Sequence, residues 1–389
     1  MTTLLRGIAA VAATATTALL LPLGLGAPAS AERSLPPAVG PTTFAKKGPF
    51  GVGVRGLRLP SGAKVTVWYP APKAAVRGKK VWSYDLVNWM PPALRQQVPD
   101  DFSVAYPSGG VQRAPVAAAK FPLVVFSHGY AGFRTQSSYL TSALASWGFV
   151  VAAPEHPSRD ITRLLTFKPA TAGDVDDLSA TITLVGQKNR TRDNWLFRHV
   201  DMSRIAALGH SAGGRASEQL AVADKRVDTF VGMAGASVGA LDQTGTDVPD
   251  RPGMIVAATD DTIVKLDRLQ AAYDAMNAPK RMVLIGGSGH LVFSDLCEVG
   301  AGSGGLLAIG EALGLPSQFL DQIRPLATDG CVDPTVAPTQ AWPAIKQVVI
   351  AYLRSTLGLD PTDAGLTGLE EAWPGIVVDD DSVTEPPAP

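Results

Sequence analysis

Six apolar runs punctuate the middle of the chain at regular intervals: Phe121–Phe126, Phe149–Ala153, Arg204–Leu208, Val227–Met233, Gly253–Ala258 and Arg281–Ile285. Each is short, continuous and bounded by turn residues, the pattern of a strand buried on both faces. Stretches with apolar positions at helical spacing lie between and after them, at Ser138–Trp147, 174–187, 264–277 and Ala341–Leu357. Strand and helix alternating in this way predict a mostly parallel sheet covered by helices on both faces, an α/β fold. Ahead of it, Val52–Leu59 and Ala63–Tyr69 alternate apolar with polar residues between Gly and Pro, and read as an antiparallel pair. Residues 72–118 carry no clear period and read as irregular. No linker-like break interrupts 121–290, so a single domain over 49–358 is expected, with inserts at 72–118 and 291–340.

The two ends read differently. Arg6 precedes an apolar run from Ile8 to Leu25, and Ala29-Ser30-Ala31 supplies a small-residue cleavage pattern, so residues 1–31 read as a signal peptide cut before Glu32. Pro22, Gly24 and Gly26 interrupt the run, which argues against a membrane anchor. The expected location is outside the cell. Residues 32–48 are Pro-containing and read as a flexible leader. The stretch 359–389 reads as a tail, disordered from Val377 onward because of Asp379-Asp380-Asp381 and Pro386-Pro387.

Composition narrows the partners. The chain has 389 residues, 46% of them hydrophobic and 18% charged, which excludes a disordered chain and supports a full core. Lys+Arg 34 against Asp+Glu 35 leaves a charge of −1, so nothing draws the chain to nucleic acid or to an anionic membrane. No stable membrane insertion is expected. A monomer is the expectation, although no residue pattern sets the oligomeric state. Cys297 and Cys331 are the two cysteines, and in an exported protein such a pair reads as one disulfide. It would close a loop of about 35 residues, worth ~3–4 kcal/mol. Neither the cysteines nor the histidines form a metal motif, and the glycine-rich run 300–305 lacks the Lys-Ser/Thr of a phosphate loop. No cofactor is called for.

The chemistry concentrates at Gly209-His210-Ser211-Ala212-Gly213-Gly214, directly after the run 204–208. This is G-x-S-x-G in the context that gives it meaning: a strand, a sharp turn, then a helix. A serine needs a base, and in this arrangement the order is nucleophile, acid, histidine. Of five histidines, His128, His156, His199 and His210 precede Ser211 and only His290 follows it. His290 is therefore the expected base. The acid should end a strand between the two, where Asp260 and Asp261 follow Gly253–Ala258; Asp261 is the reading preferred and Asp260 its competitor. The oxyanion hole should use the backbone N–H of Ala212 and one from the loop after the first core strand, with Tyr130 as the donor. His128 and His210 read as structural, His156 as lining the pocket mouth or as part of a plain turn, and Trp82 and Trp89 as packing.

These residues resemble the α/β-hydrolase superfamily. More closely, the chain is similar to secreted bacterial esterases of the platelet-activating-factor acetylhydrolase, dienelactone hydrolase and cutinase/polyesterase group. The resemblance is carried by Val124–Gln136, Trp147–Pro154, Gly209–Gly214, Asp261-Thr262-Ile263 and Gly289–Asp295, together with Trp68-Tyr69-Pro70 at the end of the early strand pair. It spans roughly residues 48–357 and implies a carboxylic-ester hydrolase working through an acyl-enzyme, on a short- to medium-chain acyl ester or a lipid ester. A polyester or cutin hydrolase, an acyltransferase and a peptidase share the same chemistry and stay open, as does a binding module on a retired hydrolase fold. The insert 291–340 is longer than in compact polyesterases and residues 72–118 form a second extra segment; together they would cap the site, favouring a small or single-chain ester over a polymer.

Overall fold

A computed structural model describes residues 39–98, 105–237, 248–332 and 334–384. The signal-peptide expectation lies outside the described residues. The apolar runs become the centre of a sheet of eleven strands: β1 (Gly51–Arg58), β2 (Lys64–Ala71), β3 (Val81–Asp85), β4 (Ala105–Gln112), β5 (Phe121–Ser127), β6 (Val150–Pro154), β7 (Val200–His210), β8 (Thr229–Met233), β9 (Gly253–Ala258), β10 (Lys280–Ile285) and β11 (Val377–Val383). Their order is β11-β10-β9-β8-β7-β5-β6-β2-β1-β4-β3. The run from β10 to β6 is parallel throughout, while β1/β2, β2/β6, β3/β4 and β10/β11 are antiparallel.

Eight helices are used below: α1 (Ser138–Ser146), α2 (Ile161–Leu165), α3 (Asp174–Arg190), α4 (Ala212–Ala223), α5 (Leu266–Ala275), α6 (Gly305–Ala312), α7 (Ser317–Thr328) and α8 (Pro338–Thr356). Side chains alternate across a strand, so each core strand feeds two layers. Val124 and Phe126 pack with Leu140 of α1 and Ile345 of α8, and Leu123 and Val125 pack with Ile182 of α3, Leu220 of α4 and Leu269 of α5. Both faces are thus covered, as continuous apolar strands require. This is the architecture of an α/β-hydrolase fold, with antiparallel strands added at both edges.

Three expectations need correction. Residues 39–48 are no flexible leader: Phe44 is fully buried, packs edge-on against Trp147 with centroids 4.8 Å apart, and donates its N–H to Gln347 Oε1 at 2.6 Å. One aromatic anchor outweighs the local proline content. The segment 72–118 is not irregular, since β3 and β4 pair within it; its register shift between Val81 and Ser83 breaks the alternation that would have revealed it. The start of the tail, Val377–Val383, is an ordered edge strand against β10, and its last residues lie outside the described ones. Val377 is buried and Asp380 accepts from Arg281 Nε at 2.7 Å, so the acidic run is neutralised where it pairs and guards the sheet edge where it does not.

Candidate active site

Strand β7 ends at His210, and the chain turns at Ser211 with φ 57° and ψ −125° before α4 begins at Ala212. A non-glycine residue there is strained, and persists only where its surroundings impose it. Here Ser211 N donates to Met233 O on β8 at 2.8 Å, and the glycines on either side permit the close packing. A Cβ on Gly209 would lie 2.1 Å from Gly213 O, and one on Gly213 would lie 2.0 Å from Ser127 O.

His290 follows the loop after β10, at the start of a 3₁₀ turn over His290–Phe293, and is 1% exposed. Its Nδ1 bonds Asp261 Oδ2 at 2.8 Å. The other carboxylate oxygen, Oδ1, accepts from Ile263 N and Val264 N at 2.8 and 2.7 Å, so both oxygens of Asp261 are held. Asp260 is exposed and, among the described residues, accepts only from Thr259. The choice between the adjacent carboxylates is therefore decided by which one the turn aims inward. His290 Nε2 is buried with no hydrogen-bond partner among the described residues, and His290 and Ser211 line one cavity.

Two further side chains fix this loop: Asp329, which carried no signal in the sequence, and His210, which was expected to be structural. Asp329 accepts from His290 N at 2.5 Å and from Thr262 Oγ1 at 2.6 Å, tying the histidine loop and the Asp261 turn together. His210, neutral because burial pulls its pKa well down, accepts from Gln136 at Nδ1 (2.9 Å) and donates from Nε2 to the carbonyl of His290 (3.0 Å). Asp329 stands two residues from Cys331, inside the insert, and only the returning chain brings it to the site.

The loop after β5 forms the opposite wall. His128 is buried and neutral; its Nε2 accepts from His156 N at 3.1 Å, so Nδ1 carries the proton and donates to Gly129 O at 2.8 Å. Both His128 and His210 thus brace backbone. His156 does not line a pocket mouth: it is fully buried behind the loop, between Ser127 Oγ at 3.0 Å and Asp177 Oδ2 at 3.2 Å. Trp89 packs on Phe133 and donates to Glu155 at 2.5 Å, a structural role.

The cavity has a volume of about 100 Å³. Its polar end holds Ser211, His290, Gln136 and the Gly129–Tyr130 segment, and Tyr130 is partly exposed. The remainder is aliphatic. Leu86 and Met90 come from the first insert, Leu164 and Leu165 from α2, and Ile309, Leu320 and Ile323 from α6 and α7. The disulfide Cys297–Cys331 forms as expected and closes the chain that bears α6 and α7. Among the described residues no cluster of His, Cys, Asp and Glu is arranged to hold a metal, and no helix is long and apolar enough to cross a membrane.

The family model for platelet-activating factor acetylhydrolase, isoform II, matches residues 103–196. Platelet-activating factor acetylhydrolase of Cavia porcellus is 23% identical over 278 residues, covering 62% of this chain and 58% of that protein. The Gallus gallus protein of the same name is 25% identical over 231 residues, 46% of this chain and 54% of that one. The Canis lupus familiaris protein is 43% identical over 60 residues, 15% of this chain and 14% of that one. The chain spans less than two thirds of the length of these relatives.

Proposed function

We propose that this chain, similar to the platelet-activating-factor acetylhydrolase-like esterases, is an exported serine hydrolase of carboxylic esters. The observation that carries the reading is a buried imidazole, oriented by Asp261 at 2.8 Å, whose free Nε2 belongs to the same cavity wall as a serine on a strained strand-to-helix turn. In this mechanism Ser211 Oγ attacks the ester carbonyl while His290 Nε2 takes its proton. Asp261 keeps the proton of the neutral imidazole on Nδ1 and stabilises the imidazolium that forms. Ala212 N and Tyr130 N receive the oxyanion. His290 then protonates the departing alkoxide, and a water activated by the same nitrogen releases the acid from Ser211. Ser211 and His290 are not hydrogen-bonded here, and such contacts commonly tighten only with substrate in place.

The aliphatic end of the cavity supports an acyl ester as substrate, with the chain lying against Leu320 and Ile323. A wall enclosed by a disulfide-closed insert suits a single acyl chain better than a polymer lying in an open groove. Export rests on residues 1–31. The test uses protein recovered from the medium, with an N-terminus expected at Glu32. Ser211→Ala should abolish turnover of p-nitrophenyl acetate and butyrate and labelling by a fluorophosphonate. Parental turnover in that variant would refute the assignment.

A further inference from the structure

The loop that lines the polar end of the cavity is held from behind by one buried arginine. Arg159, 3% exposed, donates from Nη1 to Gly129 O at 2.9 Å and to His128 O, from Nη2 to Ser127 Oγ at 2.8 Å, and from Nε to Asp174 Oδ2 at 3.0 Å. Its own carbonyl accepts from Ala131 N at 2.8 Å. Side chain and backbone of one residue therefore grip residues 127, 128, 129 and 131.

The consequence follows from peptide planarity. Carbonyl and N–H of one trans peptide point in opposite directions. Holding Gly129 O against the guanidinium, where His128 Nδ1 at 2.8 Å and Gly132 N at 3.2 Å also donate to it, turns the N–H of Tyr130 the other way. Tyr130 and Gly129 line the cavity. The neighbouring donors are all consumed: Gly129 N by Gln136 Oε1 at 3.2 Å, Ala131 N by Arg159 O and Gly132 N by Gly129 O. Tyr130 N has no acceptor among the described residues, so it is the donor of this loop left for a ligand.

We propose that Arg159 is a positioning residue that presets the Tyr130 N–H for the oxyanion by clamping the carbonyls of His128 and Gly129. The proposal rests on the reading of Ser211 as nucleophile. The clamp is itself braced. The Ser127 hydroxyl donates to His156 Nε2, and His156 donates from Nδ1 to Asp177. Asp174 neutralises the guanidinium and also faces Arg215 Nη2 at 3.6 Å. Burial lowers the Arg159 pKa only to about 10, so it stays charged at neutral pH and adds a favourable field behind the loop. The planar fork matters, because an ammonium cannot reach four acceptors spread across one plane. A donor held in place before the reaction starts needs no reorganisation as charge develops, which is where such groups gain their effect.

The test uses the full mature protein with Arg159→Lys, Arg159→Gln and the double variant Arg159→Gln/Asp174→Asn, which leaves no unpaired carboxylate. Four quantities are read: kcat and KM for p-nitrophenyl butyrate, and the inhibition constants of an alkyl trifluoromethyl ketone and of the primary alcohol of equal length. The ketone forms a tetrahedral oxyanion adduct on serine and the alcohol does not. Expected is a fall in kcat of about 10²-fold with KM within about threefold, a matching loss of ketone affinity and unchanged alcohol affinity. Unchanged kcat and ketone affinity would overturn the proposal, as would alcohol affinity lost in step with the ketone. Failure of all three variants to fold would assign Arg159 to the scaffold and overturn it too. The reading beneath stands or falls separately, on whether Ser211→Ala keeps turnover.

Discussion

The floor and the cap of the cavity are built by opposite rules. On the floor, atoms are assigned one by one: Asp261 to His290 and to two backbone amides, His210 to the His290 carbonyl, Arg159 to the loop after β5. A buried polar group left unpaired is costly, so each partner constrains the next. In the cap, Leu86, Met90, Leu306, Ile309, Leu313 and Leu320 supply surface rather than geometry. Apolar contact is non-directional, and side chains of similar volume substitute for one another at small cost. The difference teaches where change should be felt: in kcat on the floor, and in substrate preference under the cap.

The largest expected effect breaks the floor. Asp261→Asn should keep the fold and lower kcat by about 10⁴-fold, because the amide leaves His290 in the wrong tautomer. Steady-state kinetics alongside a thermal melt checks this; a loss below tenfold would detach Asp261 from the mechanism. The cap should answer differently. Ile323→Trp, at a half-buried cavity position, should fill the aliphatic end. Turnover of p-nitrophenyl acetate should stay within about twofold, while longer esters lose about fourfold in kcat/KM for each methylene excluded, from ~0.8 kcal/mol per buried CH₂. An unchanged chain-length profile would mean the acyl group lies elsewhere.

The smallest effect lies where floor and cap join. Asp295 is fully buried and accepts from Ser138 N at 2.7 Å, Tyr139 N at 3.1 Å and Tyr84 OH at 3.1 Å, linking α1 to β3 of the first insert. Burial raises its pKa to about 7, against the donors that pull it down. The native state therefore holds a proton that the unfolded chain has already lost above about pH 4. By linkage, this group's contribution to stability falls as pH rises from about 4 to about 7 and is level above that. Denaturant melts across the range should show the decline, and Asp295→Asn should flatten it. An identical slope in the variant would sink this assignment.

How much of this was legible beforehand depended on whether a feature was local. The continuous apolar runs marked β5 to β10, since a strand buried on both faces needs no partner to be recognised. Ser211 and His290 were legible because a strand–turn–helix glycine pattern and chain order are properties of the sequence. Strand β11 was not, because Asp379-Asp380-Asp381 looks solvated until Arg281 on β10 pairs with it. Arg159 and Asp329 had no signal, since each acts through backbone atoms 30 and 39 residues away.

By itself, then, the amino-acid sequence determined the α/β architecture, the candidate nucleophile and base, and the cysteine pair, all carried by local pattern and residue count. Only the tertiary structure decided which of Asp260 and Asp261 faces the imidazole, which amide of the Gly129–Tyr130 loop stays free, and what roofs the cavity. Those depend on directions in space, and a direction is set by the segments that close around a residue, not by its neighbours along the chain.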